Sequence, residues 1–331
     1  MSNDAQLLSA RALTLDFRIE RHLSGDRVLR ALDDVSLDIR AGEIVGLVGE
    51  SGSGKTTLGK TLLGVYRPTG GAIHYRGTDL AQLSKAARGG FRRDLQMVFQ
   101  DPLSSFNPRF TIGSSLAVAL RLYDICKPNE MDAEIGRLLL RVGLSPDFSP
   151  RFPHELSGGQ LQRVAIARAI SVKPKVIVAD EAVSKLDVSV RAQILNLLKR
   201  INRETGTSII FITHDLGVAR FLCDRIAVMY FGRIAENGPT EQVFSSPYHP
   251  YSAALLAARN PQHSRSESDA DETAFVPADS ASACNYAARC QRRTEQCGTQ
   301  RPQLAALDGA HEVSCFVPLR ASAESHQNFR R

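Results

Sequence analysis

Residues 44 to 58, IVGLVGESGSGKTTL, set the architecture of this 331-residue chain. The apolar run 44–48 predicts a short, buried parallel strand. The glycine-rich turn that follows fits the phosphate-loop pattern G-x-x-x-x-G-K-[ST], and the run 55–58 opens a helix. Glycines let the backbone curl, so several N–H groups can converge on an anion at the helix N-terminus. The stretch therefore predicts a binding site for a nucleoside triphosphate.

The residues of this loop have distinct predicted roles. Lys55 is expected to reach the β- and γ-phosphates, and the Thr56 hydroxyl is expected to bind Mg²⁺. The remaining contacts are expected from backbone groups and hydroxyls of the same loop. The predicted nucleotide-binding residues are Gly49, Glu50, Ser51, Gly52, Ser53, Gly54, Lys55, Thr56 and Thr57.

Composition is that of an ordinary globular protein, with 43% hydrophobic and 23% charged residues. The net charge of +6 could suggest nucleic acid or an anionic membrane as partner. No Lys/Arg tract is dense enough to support that reading, and a solvated basic surface is favoured. No secretory signal is expected at the N-terminus, and no run approaches the ~18 apolar residues of a membrane span. A membrane role would therefore be peripheral. Six cysteines in such a chain argue against a disulfide scaffold.

Strands and helices alternate along the chain, which predicts a parallel α/β sheet. Four predicted strands, over 44–48, 95–99, 175–179 and 207–213, are followed by polar residues or glycine. Ligands gather at the carboxyl ends of such strands, so these residues are expected to form one site. The residues in question are Gly49, Gln100, Asp180, Glu181 and His214. Two alternating stretches, 11–20 and 31–39, predict an antiparallel subdomain beside the parallel core.

Phosphoryl transfer needs a metal, charge neutralisation and an oriented water. Asp180 is placed to hold Mg²⁺ through water, and Glu181 to polarise the attacking water. Gln100 could touch both the metal and the water, and His214 could contact the γ-phosphate. Either of the last two residues alone would be an ordinary strand-end residue, so the prediction depends on the combination.

Six motifs together resemble the ATP-binding cassette (ABC) ATPases. They stand in that family's order and spacing over most of residues 10–245: GESGSGKT at 49–56, VFQD at 98–101, LSGGQLQR at 156–163, VIVADE at 176–181, SKLD at 184–187 and ITHD at 212–215. The resemblance implies a P-loop NTPase cassette with a parallel core sheet, an antiparallel β subdomain and a helical subdomain. ATP and Mg²⁺ are the implied ligands, Glu181 the implied general base and His214 the γ-phosphate switch.

The resemblance also implies that two cassettes dimerise head to tail. The signature residues of one cassette, which are Ser157, Gly158, Gly159 and Gln160, then cover the ATP held by Lys55 of the other. Ser157 has the pattern of a helix cap, so the helix N-terminus behind it would be a second anion site. An aromatic residue in the first strand region usually stacks on adenine in this family, and Phe17 is the candidate here.

Further stretches resemble the ATPase subunits of oligopeptide/dipeptide importers: 99–109, 156–170, 187–198, 248–258 and a cysteine-bearing C-terminal extension. The implied partners are a second ATPase, identical or paralogous, two transmembrane permeases and an extracytoplasmic solute-binding protein, with the chain peripheral at the cytoplasmic face of the inner membrane. Residues 101–125 would receive a coupling helix of a permease. A related branch imports nickel and shares the motifs. An ABC ATPase acting on DNA or ribosomes is disfavoured because the chain has neither a coiled-coil insert nor a second cassette, and no nucleic-acid partner is expected.

Two positions depart from the family pattern. Ala182 stands where a proline usually follows the catalytic glutamate, and Lys185 stands where a small residue usually precedes Leu186-Asp187. A lysine at the dimer interface would bring a long cation near the partner's nucleotide. Lower or asymmetric ATPase activity is therefore a hypothesis, and a catalytically weakened cassette paired with an active paralogue remains an alternative.

Four of the six cysteines lie close together near the C-terminus. The predicted organisation is a cassette over residues 7–258 with its helical subdomain at about 101–160, a polar linker over 259–282, and an extension over 283–320. The extension contains Cys284, Cys290, Cys297 and Cys315. Four thiolates are the number that an iron–sulfur cluster or structural zinc requires, but the spacing is not that of a zinc finger. The resemblance implies a [4Fe–4S] cluster, and free thiols are the alternative.

Overall fold

The computed structural model describes residues 6–19, 27–258 and 282–319. Two long strands open the chain, a short third strand precedes the phosphate loop, and one helix follows the loop. These elements are β1 (Gln6–Ile19), β2 (Arg27–Arg40), β3 (Ile44–Val48) and α1 (Lys55–Leu62). The apolar residues of β1 and β2 alternate and face a common core that includes Leu13, Leu15, Leu32 and Val35. The predicted strand over 11–20 thus begins earlier, at Gln6.

A four-stranded antiparallel sheet packs against the apolar residues of β3 and α1. Its order is β2-β1-β4-β5, where β4 is Gly70–Tyr75 and β5 is Thr78–Asp79. Thr14 of β1 pairs with Gly70 at the start of β4. The predicted antiparallel subdomain is therefore confirmed.

The second sheet has eight strands in the order β11-β12-β10-β9-β3-β8-β7-β6. Five of these strands are parallel neighbours, and they bring the predicted strand ends to one edge. They are β6 (Leu95–Val98), β7 (Val176–Asp180), β3, β8 (Ser208–Thr213) and β9 (Arg225–Tyr230). Every residue of β3, β7, β8 and β9 is buried, as expected for strands covered on both faces.

Helices cover the parallel strands and build a lobe between β6 and β7. The helices after α1 are α2 (Lys85–Asp94), α3 (Ile112–Leu122), α4 (Met131–Arg141), α5 (Gly158–Ile170), α6 (Val188–Thr205), α7 (Leu216–Leu222), α8 (Thr240–Ser245) and α9 (Pro250–Ala257). Short 3-10 turns link several of them. Leu116 and Leu120 of α3 and Leu138 of α4 join the same apolar core as α5. The sequence pattern does not predict α2, whose buried residue is Phe91 alone.

The C-terminal extension continues the main sheet. It contains α10 (Glu295–Thr299), β11 (Ala305–Asp308) and β12 (His311–Val313), and β12 pairs antiparallel with β10 (Arg233–Pro239). The junction also contains a buried charge, because Glu236 of β10 accepts hydrogen bonds from His311 Nε2 and from the backbone N–H groups of Tyr248 and His249. The sequence suggests a small appendage and does not predict this pairing. The predicted linker, apart from residue 282, lies outside the described residues.

None of the helices in the described ranges is both long enough and apolar enough to cross a bilayer.

Candidate active site

The phosphate loop joins β3 to α1 and folds around its own lysine. Lys55 Nζ donates hydrogen bonds to the carbonyl oxygens of Gly49 and Glu50, at 2.9 and 2.6 Å, and to Ser53 Oγ at 3.2 Å. Burial lowers the pKa of Lys55, whereas the neighbouring carboxylates of Glu181 and Asp180 raise it. The ammonium is thus held beneath the loop, at the N-terminus of α1.

Glycine is sterically required at the start of the loop. The φ of Gly49 is +150°, and a Cβ there would lie 2.2 Å from the carbonyl oxygen of Met229. Ser51 and Gly52 form the exposed tip, Gly54 is the left-handed cap of α1, and Thr57 lies in the first turn of that helix. The loop therefore presses against β9, and no larger side chain fits at its first position.

A hydroxyl and a carboxylate meet where β3 and β7 end. Thr56 Oγ1 donates a hydrogen bond of 2.8 Å to Asp180 Oδ1. Burial raises the pKa of Asp180, which this hydrogen bond counteracts. Hydroxyl and carboxylate oxygens are ligands that Mg²⁺ prefers, so the pair fits the metal role predicted for Thr56 and Asp180.

Glu181 stands between two strand-end side chains. Gln100 Nε2 donates a 2.8 Å hydrogen bond to Glu181 Oε2, and His214 Nδ1 lies 3.1 Å from Glu181 Oε1. Gln100 and His214 are thus brought to opposite oxygens of one carboxylate. The four parallel strands place all the predicted strand-end residues in one cluster, as the alternation of strands and helices indicates.

The backbone of Glu181 is strained. Its φ is +44°, in the left-handed region that a non-glycine residue rarely adopts. Two contacts fix this conformation: its N–H donates to the Ile212 carbonyl at 3.0 Å, and its own carbonyl accepts from Ser184 Oγ at 3.0 Å. Strain held by surrounding contacts is frequent where a side chain must be aimed accurately.

The signature residues form the N-terminus of α5. Ser157 Oγ accepts from the Gln160 N–H at 3.3 Å, and Gln160 Oε1 accepts from the Ser157 N–H at 2.9 Å. This reciprocal pair is a capping box, as predicted for the helix start. A Cβ on Gly159 would lie 2.4 Å from Val190 of α6, whereas Gly158 has only one remote neighbour. Within the described residues, no hydrogen bond or ion pair joins this helix start to the phosphate-loop cluster.

The predicted adenine-stacking residue lies apart from the cluster. Phe17 is half-buried on β1, and its ring meets that of Tyr66 edge to face, with centroids 5.4 Å apart. Tyr66 comes just after α1 and is itself only partly buried. The stacking role of Phe17 stays a prediction.

The two departures from the family pattern differ in exposure. Ala182 is buried at 3%, so the side chain lies in the core next to Val183. Lys185 is exposed on the loop before α6, which Asp187 caps through a 2.9 Å hydrogen bond from the Val190 N–H. The lysine is therefore free to reach a partner molecule.

The cysteines of the extension line one small cavity. Cys284, Cys290, Cys297 and Cys315 surround about 10 Å³ together with His249. All four thiols are free, and burial raises the pKa of Cys284 as well as that of Cys315, the latter to about 11. Over residues 6–19, 27–258 and 282–319, no group of three or more His, Cys, Asp or Glu side chains has the arrangement of a metal site.

Sequence reasoning missed two residues that contact the phosphate loop from the C-terminal part of the chain. The phenol oxygen of Tyr251 accepts a hydrogen bond from the Glu50 N–H at 3.0 Å, and Arg289 Nη1 lies 3.2 Å from a Glu50 carboxylate oxygen. Tyr251 lies in the stretch 248–258, which contributes to the resemblance to peptide importers but does not indicate this contact. No local pattern marks Arg289.

Comparisons with known proteins agree with this geometry. The ABC transporter family model matches residues 32–184, and the model of the oligopeptide/dipeptide transporter C-terminal region matches residues 235–297. The chain is 42% identical to a probable peptide ABC transporter ATP-binding protein, y4tS, of Sinorhizobium fredii, over 96% of this chain and 91% of that one. It is 39% identical to the oligopeptide transport ATP-binding protein OppF of Haemophilus influenzae, over 96% and 99% of the two chains.

Solved structures give the same result. The dimeric post-hydrolysis state of the cassette MJ0796, bound to ADP and Pi, aligns with a TM-score of 0.63 at 30% identity, covering 71% of this chain and 99% of that one. The protein cbiO1 of Clostridium perfringens, described as part of the ABC transporter complex cbiONQ, aligns with a TM-score of 0.63 at 26% identity, covering 78% of this chain and 97% of that one. The chain therefore belongs to the ABC transporter ATPases, in the group that carries the oligopeptide/dipeptide transporter C-terminal region.

Proposed function

We propose that this chain is the ATP-hydrolysing, energy-coupling subunit of a bacterial importer for oligopeptides or dipeptides. The observation that carries the ATPase part is the position of Glu181, whose carboxylate lies between Gln100 and His214. The peptide part is supported by relatives that are named for peptide transport and are similar over nearly the whole chain.

The residues of the site would share the chemistry as follows. Lys55 would bind the β- and γ-phosphates, Thr56 and Asp180 would hold Mg²⁺, and Gln100 would contact both the metal and the attacking water. The metal would neutralise charge on the phosphate oxygens. Glu181 would accept a proton from the attacking water, because its carboxylate lies between Gln100 and His214 and is not the one that Thr56 engages. His214 would contact the γ-phosphate and report its presence to the adjacent helix α7.

A second cassette would complete the site. The N-terminus of α5 points its exposed residues Ser157 and Gly158 to solvent, and such a helix end attracts anions. Gly159 and Gln160 would also contact the nucleotide bound by the partner cassette. The proposed head-to-tail arrangement is also supported by the dimeric state of a similar solved cassette.

A surface on the helical lobe suits a membrane partner. Four large apolar side chains within residues 101–125 are at least 45% exposed: Leu103, Phe110, Val118 and Leu122. Val118 and Leu122 are four residues apart on α3 and therefore share one face of that helix, and exposed apolar faces mark protein contacts. We propose that they receive a coupling helix of one of two transmembrane permeases, which would hold the chain at the cytoplasmic face of the inner membrane. An extracytoplasmic solute-binding protein would deliver the substrate, and no nucleic acid would take part.

This docking proposal can be tested by charge insertion. Leu122→Glu should abolish recovery of the chain with permease-containing membranes and leave nucleotide binding unchanged. Leu140→Glu is a matched control, because Leu140 is similarly exposed, at 61%, on the neighbouring helix α4. Equal recovery of both variants would contradict the assignment of the surface.

We further propose that Cys284, Cys290, Cys297 and Cys315 bind an iron–sulfur cluster. Four thiols around one cavity provide the donor number and chemistry of a [4Fe–4S] site. The cavity, about 10 Å³, is smaller than a cluster, so the loops that carry the thiols would have to move apart. Iron and acid-labile sulfide should be found in anaerobically purified protein and lost in a Cys290→Ser variant. Protein that contains neither would leave these thiols as structural groups.

The decisive experiment is ATPase activity of the reconstituted transporter with its binding protein, comparing a peptide mixture with nickel chelates. Stimulation by peptides is expected. Stimulation by nickel alone would assign the chain to a nickel importer. No hydrolysis under either condition would favour the catalytically weakened cassette, with Ala182 and Lys185 as the first residues to restore.

A further inference from the structure

Glu50, on the phosphate loop, is held at each of its three polar groups. Its N–H donates to the phenol oxygen of Tyr251 at 3.0 Å, and its carbonyl accepts from Lys55 Nζ at 2.6 Å. Its carboxylate lies 3.2 and 3.4 Å from Arg289 Nη1. Two of the three partners come from outside the phosphate-loop motif, and both come from the part of the chain after the last parallel strand.

Tyr251 is buried among aromatic rings. It is 1% exposed in α9, and its ring lies against those of Tyr230 and Tyr286, with centroids 4.5 and 5.5 Å away. Burial raises the pKa of Tyr251, so its phenol is neutral over the physiological range. Tyr286 belongs to the cysteine-bearing extension, and its ring also meets Tyr230 edge to face at 5.2 Å. The extension thus packs directly behind the residue that holds the loop.

The same aromatic cluster sets the position of Arg289. The Arg289 N–H donates to the Tyr286 carbonyl at 3.1 Å, which closes a turn between the packed ring and the guanidinium. Burial raises the pKa of Tyr230, and a hydrogen bond with Arg289 counteracts that rise, so Tyr230 also contacts the guanidinium. The arginine and the carboxylate are each 42% exposed, so the ion pair alone adds little to folding stability.

We propose that Tyr251 and Arg289 are positioning residues for ATP binding: they fix Glu50 and thereby the loop conformation in which Lys55 meets the phosphates. The C-terminal extension would therefore stabilise the conformation of the phosphate loop through these two residues. The inference rests on the proposed use of the loop for ATP, and it does not depend on which solute is transported.

The test measures ADP binding to the full-length chain by isothermal titration calorimetry, which needs neither hydrolysis nor a transporter. Tyr251→Phe removes the acceptor oxygen and keeps the packed ring. One hydrogen bond of ordinary net strength corresponds to an increase of about fivefold in the dissociation constant. Tyr75→Phe is the matched control, since Tyr75 is also buried and loses a hydroxyl that bonds Asp94, away from the loop. The control should leave the dissociation constant unchanged.

The arginine is tested in the same way. Arg289→Ala should weaken ADP binding by about twofold to threefold, as expected for an exposed ion pair, and Arg289→Lys should restore part of it. Arg220→Ala is the control, because it removes a comparable exposed pair with Glu241. Since Tyr251 and Arg289 hold the same residue, their effects should not add in the double variant.

Kinetics separate positioning from general damage. In steady-state ATPase assays the variants should raise KM for ATP and keep kcat at saturation, because Glu181 is untouched. Equal dissociation constants for Tyr251→Phe, Tyr75→Phe and the parent chain would overturn the proposal. If peptides fail to stimulate transport-coupled hydrolysis while Tyr251→Phe still weakens ADP binding, the transport assignment is wrong and the positioning role of Tyr251 is supported.

Discussion

His214 Nδ1 lies 3.1 Å from Glu181 Oε1, at the ends of the neighbouring strands β8 and β7. The histidine is 55% exposed and the glutamate only 19%, so the pair has an open side and a protected side. A nucleotide reaching the open side would meet the imidazole, and a water held on the carboxylate would lie behind it.

Glu181→Gln should abolish turnover and preserve nucleotide affinity. The amide has nearly the shape of the carboxylate but cannot accept the proton of water, and loss of a general base typically costs about 10²–10⁴-fold in rate. Phosphate release and the ADP dissociation constant are the two measurements. Glu241→Gln, at an exposed carboxylate far from the loop, is the control. Turnover that survives the change would remove Glu181 from the role of base.

Lys185→Ala should increase ATPase activity in the assembled transporter. The exposed ammonium would lie at the interface between the two cassettes, and removing it would remove a positive charge that weakens closure of the dimer. An increase in the ATPase rate of up to about fivefold matches the strength of exposed charge interactions. Lys175→Ala is the control, because Lys175 is exposed at the opposite end of β7. An unchanged rate for Lys185→Ala would show that this departure from the family pattern is neutral.

Gly159→Ala should impair hydrolysis by displacing the start of α5. The new methyl group would overlap Val190 Cγ1, since a Cβ there lies at 2.4 Å, so α5 must move relative to α6. Overpacking of this kind costs about 1–3 kcal/mol. The measurement is ATPase activity together with thermal unfolding. Val190→Ala, introduced with Gly159→Ala, should recover the unfolding temperature.

The double variant also separates two causes. If activity returns along with stability, the defect lies in helix packing. If stability returns and activity does not, the methyl group itself obstructs the partner's nucleotide, as the proposed head-to-tail arrangement predicts.

His249 should make folding stability depend on pH between neutrality and mild acid. Burial lowers its pKa to about 4 from an ordinary 6.5, although Glu236 nearby raises it. The unfolded chain therefore binds the proton first. The contribution of His249 to the free energy of unfolding is therefore complete above pH 6.5 and is lost as the pH falls toward 4. This difference in pKa corresponds to a loss of about 2 kcal/mol in the free energy of unfolding between about pH 7 and pH 5.

Urea unfolding at a series of pH values measures this loss. His249 Nδ1 also caps α9 by accepting from the Tyr251 N–H, and asparagine can make the same cap without titrating. His249→Asn should therefore lower stability at neutral pH and flatten its dependence on pH. His154→Asn, at an exposed histidine, should leave the dependence as it is. A His249→Asn profile parallel to that of the parent chain would assign the slope to other groups.

The parts of the site that sequence could predict are those with a local signature. The phosphate loop requires glycine at position 49 because of Met229, and the strand-end residues Asp180 and Glu181 follow an unbroken apolar run. Alternation of strands and helices then places Gln100 and His214 beside them, as the structure has it. The predicted helix cap at Ser157 is also confirmed, because a capping box involves residues only three positions apart in the sequence.

The parts that sequence could not predict are contacts over long separations. Tyr251 and Arg289 reach Glu50 from about two hundred residues away or more. Their side chains carry no periodicity that indicates a partner. Strand β12 is only three residues long, and its register with β10 covers two residue pairs. Such short strands are specified by the edge that they meet rather than by their own sequence.

The pairing of β10 with β12 matters for truncated or fused forms of this protein. A chain cut before residue 282 would leave β10 with an unpaired row of N–H and C=O groups, the kind of border on which strands of other molecules assemble. It would also strip His311 from the fully buried carboxylate of Glu236. We expect such a shortened protein to precipitate or form filaments before its catalysis can be measured, so a reporter or purification tag belongs beyond residue 319.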